Sequence, residues 1–537
     1  MSFTFDSLKY SYPSRRRVVF GKRGMVCTTQ PLAAQAGLDI LKKGGNAIDA
    51  AIATAACLTV IEPNNSGIGG DAFAIVWVKD RLYGLNGSGP APMGIDLETV
   101  RERCGDTVPK YGWTPVTVPG APSAWAELSA RFGKLPFREL LRPAIDYAEE
   151  GFPVAPVTAK LWSKYHKMFR EAFHEDYLEH WFETFTPEDR GPRPGEIVRL
   201  PNHAETLREL AETNCESLYR GALAERIDAF SRETGGYLRK EDLAAYRAEW
   251  VDPISIDYRG YTVSEMPPNG NGIVALMALK TLSQFEFTNR DCADTYHKQL
   301  EAMKMAFADG QEYVADPASM RVTVERMLSD EYAAKRAARI GETALEPQYG
   351  DPSCGGTVYL CAADGEGNMI SFIESNYIGF GSGVVVPGTG VAFQNRGNNF
   401  SLDPKSANCL APGKKSYHTI IPGFLSKDGK PVGPFGVMGG FMQPQGHVQV
   451  VMNTVDFHMN PQEALDAPRW QWTGGMEVQV ERDFPAAEAE RLMRMGHQIT
   501  VPPENYFFGR GQIIWRDDDG VLCGATEPRS DGTVAVW

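Results

Sequence analysis

The hydrophobic residues of the chain follow patterns that predict both helices and strands. From Ala47 to about Val60 nearly every residue is apolar, which predicts a helix that is buried on most sides. The preceding helix, predicted over Pro31 to Lys43, has proline at its start and Gly44-Gly45 at its end, the favoured arrangement of helix termini. The apolar run Ala72–Val78 is typical of a buried strand. The chain therefore mixes helices and strands.

A β-hairpin is predicted directly after Gly355-Gly356-Thr357. Val358–Leu360 and Met369–Ile373 have the apolar, β-branched character of paired strands, and the residues at 364–368 are turn formers. The two glycines allow a sharp bend, so the Thr357 hydroxyl lies at the very start of a buried strand, where it could attack a backbone carbonyl. Taken alone, Gly-Gly-Thr is a turn entering a strand, because motifs this short often occur by chance.

Composition and charge exclude several classes of protein. The chain has 537 residues and a net charge of −14, which argues against nucleic acid or an anionic membrane as a partner. The nine cysteines are scattered, with no Cys-x-x-Cys pair, which favours reduced thiols over a disulfide framework or a zinc ribbon. The first residues lack the apolar core of a signal peptide, and no later apolar run is long enough to span a membrane. We therefore expect a cytoplasmic protein.

Two other candidate sites are weak. His174, Asp176 and His180 lie close together, but the two histidines are six residues apart and do not share one helical face. The glycines between Asn64 and Asp71 could form a phosphate cradle, but no Gly-Lys-Ser/Thr ending follows them. We predict neither a metal nor a cofactor.

Several longer motifs, kept in order along the chain, resemble the γ-glutamyltranspeptidase family of N-terminal-nucleophile hydrolases. They are GGNAIDAA with the later SGIGG, the stretches 119–154 and 253–282, the region 353–400, and Met438-Gly439-Gly440. The resemblance implies an α+β fold, an αββα four-layer sandwich whose central antiparallel sheets are shared by two fragments. It also implies that the chain cuts itself between Gly356 and Thr357.

The implied cut leaves a large fragment, 1–356, and a small fragment, 357–537, which together form one catalytic domain and a heterodimer, with a homo-oligomer of that heterodimer also possible. The chemistry is consistent with this, because a threonine hydroxyl is a weak nucleophile and needs a nearby base. An N-terminal threonine carries one in its own α-amine, whose reference pKa is about 7.7–8.0.

The resemblance assigns further roles. Ser375, eighteen residues after Thr357, takes the place of a family threonine that is hydrogen-bonded to the nucleophile. The amides of Gly439 and Gly440 would hold the oxyanion. Substrate-binding positions implied by the resemblance are Asn376, Arg396, Asn399, Tyr417 and His418.

The pocket departs from that of classical transpeptidases, which hold a γ-glutamyl group. The segment Asn86–Pro92 lacks their arginine, and Asn398-Asn399 stands where they have Asp-Asp, so a charge-assisted bond to an ammonium is lost. Ser416-Tyr417-His418 replaces their Ser-Ser pair. Arg396 replaces a Gln or Glu and could hold a carboxylate with two parallel bonds, or it could form a structural ion pair.

The stretch Asn395-Arg396-Gly397, followed by Phe400-Ser401-Leu402-Asp403-Pro404, resembles the oxamate-amidohydrolase-like branch of the family. The predicted function is that of a self-processing threonine amidohydrolase, which cleaves the amide of a small carboxylate-bearing substrate through an acyl-enzyme. Hydrolysis is favoured over transfer to a second amine. Two alternatives stay open: a true γ-glutamyltransferase or glutathione hydrolase, and an uncleaved relative without catalytic activity.

Overall fold

The fold rests on two antiparallel sheets stacked face to face. The computed structural model describes residues 16–347 and 356–537, so Gly355 lies outside the described residues. The first sheet pairs strands from both sides of position 356. Side by side, and numbered in chain order, its strands are Thr533–Val536 (β19), Gly24–Thr28 (β2), Gly356–Asp364 (β10), Met369–Tyr377 (β11), Asp71–Val78 (β3), Arg81–Gly87 (β4) and Glu249–Val251 (β7).

The second sheet is also built from both parts of the chain. Its strands, in spatial order, are Val19–Gly21 (β1), Leu522–Thr526 (β18), Arg510–Arg516 (β17), Lys430–Met438 (β13), Gly423–Lys427 (β12), Tyr261–Glu265 (β9) and Ile254–Tyr258 (β8). Smaller sheets pair Phe152–Pro153 (β5) with Ile197–Val198 (β6), and Trp470–Gly474 (β14) with Glu477–Val480 (β15) and Gln498–Thr500 (β16).

Helices cover the outer face of each large sheet. Those that share a core with the first sheet are Pro31–Lys42 (α1), Ala47–Ile61 (α2), Ala121–Phe132 (α4), Phe137–Glu150 (α5), Pro156–Ala172 (α6), Glu179–Phe185 (α7), Pro201–Thr213 (α8), Glu216–Arg220 (α9), Ala222–Glu233 (α10) and Lys240–Ala245 (α11). Leu97–Cys104 (α3) belongs to a small separate cluster.

The second sheet is covered in the same way. The helices on its side are Gly272–Leu282 (α12), Ala293–Tyr313 (α13), Val324–Met327 (α14), Asp330–Ala337 (α15), Met442–Val455 (α16), Pro461–Asp466 (α17) and Ala486–Arg494 (α18). Short 3₁₀ turns span Asp176–Leu178, Pro317–Ser319, Arg396–Asn399 and Tyr506–Phe508. The predicted αββα sandwich, with sheets shared across position 356, is confirmed.

Alternation along β10 separates two cores. Val358 and Leu360 face α1 and α2, whereas Tyr359 and Cys361 lie in the apolar layer between the two sheets. Because side chains alternate along a strand, Thr357 belongs to the row that faces the second sheet. This placement brings its hydroxyl to the inside of the sandwich.

The predicted hairpin and helices are confirmed with small shifts in their bounds. α2 runs one residue further than expected, to Ile61. β3 begins at Asp71, one residue before the predicted strand. The described cysteines, all but Cys354, are free. Within the described residues, no helix combines the length and the apolar character needed to cross a bilayer.

Candidate active site

Thr357 and Ser375 meet at the ends of two neighbouring strands. The Thr357 Oγ1 lies 3.0 Å from the Ser375 Oγ, and both residues are buried. The pairing of β10 with β11 shifts register between Gly356 and Val358, so Thr357 sits at an irregularity opposite Ser375. The Ser375 Oγ also accepts a hydrogen bond from the Tyr377 amide at 2.8 Å. The hairpin therefore brings together two hydroxyl groups that are eighteen residues apart in the sequence.

Asp71 extends this polar row to a third strand. It opens β3 directly opposite Ser375 on β11 and faces the same inter-sheet layer, since Phe73 and Ile75 lie in that layer further along β3. Side chains directly opposite each other on antiparallel strands have Cβ atoms about 4.5–5.5 Å apart. Burial raises the pKa of Asp71 to about 7, although the nearby Arg396 guanidinium opposes the rise.

Arg396 fills the space beside these residues. It lies on the short 3₁₀ turn and is 1% exposed. Its Nη1 donates to the Thr419 hydroxyl at 2.7 Å, and its Nη2 lies 3.4 Å from the Ser375 Oγ. Its guanidinium carbon stands 4.3 Å from the centre of the Tyr377 ring.

The third nitrogen of Arg396 is less well satisfied. Its Nε is 3.7 Å from the Asp71 Oδ2, too far for a hydrogen bond of normal geometry. Burial lowers the pKa of Arg396 to about 10, and the Asp71 charge opposes that shift. Both interpretations of Arg396 thus have physical support, since its Nε faces a carboxylate of the protein without a hydrogen bond and its Nη2 lies beside Ser375.

His418 is a neutral partner of Asp71. Its Nε2 lies 3.0 Å from the Asp71 Oδ2, and its Nδ1 accepts a long hydrogen bond, 3.4 Å, from the Ile420 amide. This assigns the ring proton to Nε2. Burial, together with the charges of Arg396 and Lys415, holds the pKa of His418 well below its usual range. His418 is therefore engaged on both ring nitrogens.

The Gly439–Gly440 corner lies at the same end of the sandwich. The ring of Tyr359 covers Gly436 on β13, and Met369, opposite Ala363 at the far end of β10, reaches Gly433. β10 and β13 therefore lie one above the other in the two sheets, and the end of β10 that carries Thr357 is on the same side as the end of β13 at Met438.

The backbone at this corner requires glycine. Gly439 and Gly440 have φ angles of 139° and 59°, which side-chain-bearing residues rarely adopt. Their carbonyls accept hydrogen bonds from the first turn of α16. Since a trans peptide points its N–H opposite to its C=O, the Gly440 amide is directed away from that helix.

Two of the remaining predicted residues, Asn399 and Tyr417, contact residues of the pocket, whereas the Asn376 side chain does not. The Asn399 Oδ1 accepts a hydrogen bond from the Tyr377 hydroxyl at 2.6 Å, and its Nδ2 donates to the Tyr417 carbonyl at 3.1 Å. The Tyr417 ring stacks on Phe441. Asn376 does not join the cluster, because it points toward the 63–70 loop and donates to the Pro63 carbonyl.

Asp71 is the residue that sequence reasoning missed. It was grouped with the preceding glycines, whereas it begins the strand that pairs with β11. Counting back in steps of two from Phe73 and Ile75 would have placed it on the inter-sheet face, beside Ser375 once the strand order was known.

A cleft of about 490 Å³ lies next to this layer. Asn86, Asn269 and Lys415 contribute to its wall. Asn269 links the cleft to the site, because its carbonyl accepts from the His418 amide and its side chain donates to the Ser416 carbonyl. The cleft therefore adjoins the segment that carries His418.

Comparisons with known proteins agree with this architecture. The crystal structure of a cephalosporin acylase from Bacillus halodurans is similar, with 62% sequence identity, a TM-score of 0.97, and coverage of 100% of this chain and 99% of that one. The glutathione hydrolase-like YwrD proenzyme of Bacillus subtilis is 35% identical over 96% of this chain and 98% of that protein. The oxamate amidohydrolase proenzyme of Klebsiella pneumoniae is 34% identical, again over 96% and 98%. The γ-glutamyltranspeptidase family model matches residues 33–537, and the chain thus belongs to the γ-glutamyltranspeptidase family of N-terminal-nucleophile hydrolases.

Proposed function

We propose that this protein is a self-processing threonine amidohydrolase. The chain cuts itself between Gly356 and Thr357, and residues 1–356 and 357–537 remain together as a heterodimer. Support comes from the relatives, which are named proenzymes, and from the two sheets, each of which interleaves strands from both sides of the cut. Fragments that share hydrogen-bonded sheets stay associated because separation would expose both cores.

The proposed chemistry uses Thr357 as attacker and proton acceptor. Its Oγ1 attacks the substrate amide carbonyl while its α-amine takes the proton. The Gly439 and Gly440 amides stabilise the oxyanion, and removing one such donor typically costs about 2.7–4 kcal/mol. The leaving amine departs with a proton from the same α-amine, and water then releases the acyl group from the ester.

The single observation that carries this proposal is the Thr357–Ser375 hydroxyl pair. A buried threonine hydroxyl 3.0 Å from a second hydroxyl, at the second residue of a central strand, supports a role in attack rather than in packing. The Ser375 Oγ also accepts a hydrogen bond from the Tyr377 amide at 2.8 Å, which holds this hydroxyl in place beside the Thr357 oxygen.

The test is the state of the purified chain and its Thr357 variants. We expect two fragments on a denaturing gel, the smaller beginning at Thr357 by N-terminal sequencing, in place of one band of 59.1 kDa. Thr357→Ala should remain uncut and inactive, whereas Thr357→Ser should retain some of both activities. An uncut wild-type chain that still folds would favour the non-catalytic alternative.

For the substrate, we propose an amide that carries a carboxylate close to the scissile bond. Support comes from the Arg396 guanidinium beside the hydroxyl pair and from the similarity to the oxamate amidohydrolase proenzyme. True γ-glutamyl transfer is disfavoured, since the amide of Asn399 is occupied by Tyr377 and Tyr417. Hydrolysis is therefore the proposed outcome.

A second candidate substrate class has its own support. The cleft of about 490 Å³ far exceeds the volume of oxamate, and the similar crystal structure is that of a cephalosporin acylase. A longer acyl amide would occupy the cleft beside Lys415. Parallel assays of oxamate and of a longer dicarboxylic acid monoamide on processed protein would separate the two classes by their kcat/KM values.

A further inference from the structure

Self-cleavage poses a proton-transfer problem that mature turnover does not. Before the cut, the nitrogen of Thr357 is part of a peptide bond and has no basic lone pair, so it cannot accept the hydroxyl proton. Some other group must accept it. This inference rests on the proposed function, because it concerns the step that creates the nucleophile.

The residues around Thr357 leave few candidates for that acceptor. His418 holds its proton on the side facing Asp71 and its other nitrogen is engaged by the Ile420 amide. Arg396 is a cation and accepts no hydrogen bond. Glu374, the next acidic residue along β11, points to the opposite face, where its Oε2 accepts from the Trp125 indole at 3.1 Å.

Asp71 is the acidic residue on the same face of the sheet as the hydroxyl pair. It lies directly across from Ser375 on the neighbouring strand, and Ser375 in turn contacts the Thr357 hydroxyl. Its Oδ2 is engaged by His418, while its Oδ1 accepts no hydrogen bond of normal geometry, and the Gly89 amide lies near the carboxylate. A fully buried carboxylate oxygen without such a bond is costly unless the site uses it.

We propose that Asp71, acting through the Ser375 hydroxyl, accepts the Thr357 proton during self-cleavage, and that the mature enzyme no longer needs it in this role. The Thr357 Oγ bonds to the Gly356 carbonyl carbon as its proton passes to Ser375 and the Ser375 proton passes to Asp71. The carbon–nitrogen bond then breaks, and the proton returns along the same route to the Thr357 nitrogen. Water hydrolyses the resulting ester to the Gly356 carboxylate and the free Thr357 hydroxyl.

The surroundings of Asp71 make this step measurable by pH. The charged or titratable groups that face it are Arg396, His418, Lys415 and the phenols of Tyr219 and Tyr246. The pKa of His418 is far below its usual range, that of Arg396 is about 10, and those of both phenols are raised well above their usual value. An inflection of the cleavage rate near pH 7 would therefore belong to Asp71.

The test follows cleavage of newly made full-length chain. Cell-free synthesis with a pulse of label, followed by a shift into buffers from about pH 5.5 to 9, gives the rate at which the full-length band disappears. We expect the wild-type rate to rise with pH and level off above about 7, where the carboxyl is ionised. Asp71→Asn should slow cleavage by about 10²-fold or more, the usual contribution of such a group, and should remove the inflection. Asp71→Glu should restore part of both.

Two controls separate this role from a structural one. Glu374→Gln removes a buried carboxyl from the same strand pair on the opposite face, and it should cleave at the wild-type rate. Hydroxylamine, which opens esters, should release no fragments from Asp71→Asn, because the block precedes ester formation. For the Asp71→Asn molecules that do cleave, kcat per cut chain should fall much less than the cleavage rate.

The outcomes are distinguishable from failure of the proposed function. A wild-type cleavage rate that is flat between pH 5.5 and 9 would overturn the role of Asp71 without any substitution being made. Wild-type cleavage by Asp71→Asn, combined with uncut Thr357→Ala, would overturn this inference alone. Cleavage of Thr357→Ala at the same bond would overturn the proposed function itself.

Discussion

Two buried ionic clusters in this protein are built in opposite ways. The first, defined here as the site cluster, consists of Asp71, Arg396 and His418. The second, defined here as the C-terminal cluster, consists of Arg469, Glu481, Glu527 and Arg529. All these residues are less than one-tenth exposed.

In the C-terminal cluster the carboxylates are fully engaged. The Glu527 Oε2 accepts from Arg469 and from the Gly511 amide, and its Oε1 accepts from Arg529. Arg529 also binds Glu481 and the Leu465 carbonyl. Although burial alone would raise it, the two arginines hold the pKa of Glu527 below its usual value. This cluster connects the loop that follows α17 to the loop that follows β18.

In the site cluster, by contrast, the ion pair is loose. The closest approach of Arg396 to Asp71 is 3.7 Å, one carboxylate oxygen lacks a normal hydrogen bond, and the pKa of Asp71 rises to about 7. Burial alone therefore does not make an ion pair stabilising. Where the hydrogen bonds are incomplete, the charges remain available for proton transfer or for a ligand.

The largest effect of a substitution is expected at Glu527. We expect Glu527→Ala to destabilise the fold by about 3–5 kcal/mol, because two arginines are left buried without their partner. The measurement is the unfolding midpoint in a Thr357→Ala background, where the chain stays uncut. As a control, Asp518→Ala removes an exposed ion pair with Lys430 and should change stability by less than about 1 kcal/mol. Equal effects of the two changes would contradict the distinction.

The contribution of Asp71 to stability should fall as pH rises, because its pKa is raised, whereas that of Glu527, whose pKa is lowered, has the opposite dependence. The pKa of Asp71 is about 7 in the folded state and about 3.9 in an unfolded chain. The folded state therefore holds the proton longer, and wild-type stability falls as pH rises from about 4 to 7.

Relative to wild type, Asp71→Asn should gain about 2 kcal/mol of stability between pH 5 and pH 7, since each pH unit well between the two pKa values corresponds to about 1.36 kcal/mol and the carboxyl is half ionised at pH 7. Unfolding midpoints of both chains across this range, again in the Thr357→Ala background, provide the measurement. A constant difference between them would show that Asp71 is ionised throughout, as in a tight ion pair.

Substitutions of Arg396 test whether the site cluster binds the carboxylate of a substrate. If its guanidinium holds a substrate carboxylate, Arg396→Ala should lower kcat/KM for oxamate by about 30- to 150-fold, corresponding to about 2–3 kcal/mol for a charged hydrogen bond. An uncharged amide of similar size should be affected much less. Arg396→Lys keeps the charge without the planar fork and should lie between. Equal losses for both substrates would identify Arg396 as a structural partner of Asp71.

The smallest effect is expected at Glu374. Burial raises its pKa well above the usual value, which favours the neutral acid, and an amide is a close substitute for that form. Glu374→Gln keeps an oxygen to accept the Trp125 hydrogen bond. The free energy of unfolding should therefore change by less than about 1 kcal/mol. A large loss would mean that this carboxyl is ionised and paired.

Much of the fold and part of the site could be predicted from the sequence. The apolar run of α2, the hairpin around 364–368 and the glycine corner at 439–440 were all apparent, because each depends on local composition or backbone conformation. The Thr357–Ser375 relation followed from the family resemblance, and the hairpin explains it geometrically. Asn376 could not be oriented from its position alone, since the side chain next to Ser375 faces the 63–70 loop.

By itself, then, the sequence determined the classes of element, the position of the threonine and the family, because these are written in periodicity and in contiguous motifs. The tertiary structure alone decided which distant residues meet Thr357. Asp71 and His418 are separated by 347 positions, and no local pattern links them. They come together because β3 pairs with β11 and because the loop before β12 folds back over the strand ends, so that strand order rather than sequence spacing sets the charges of the site.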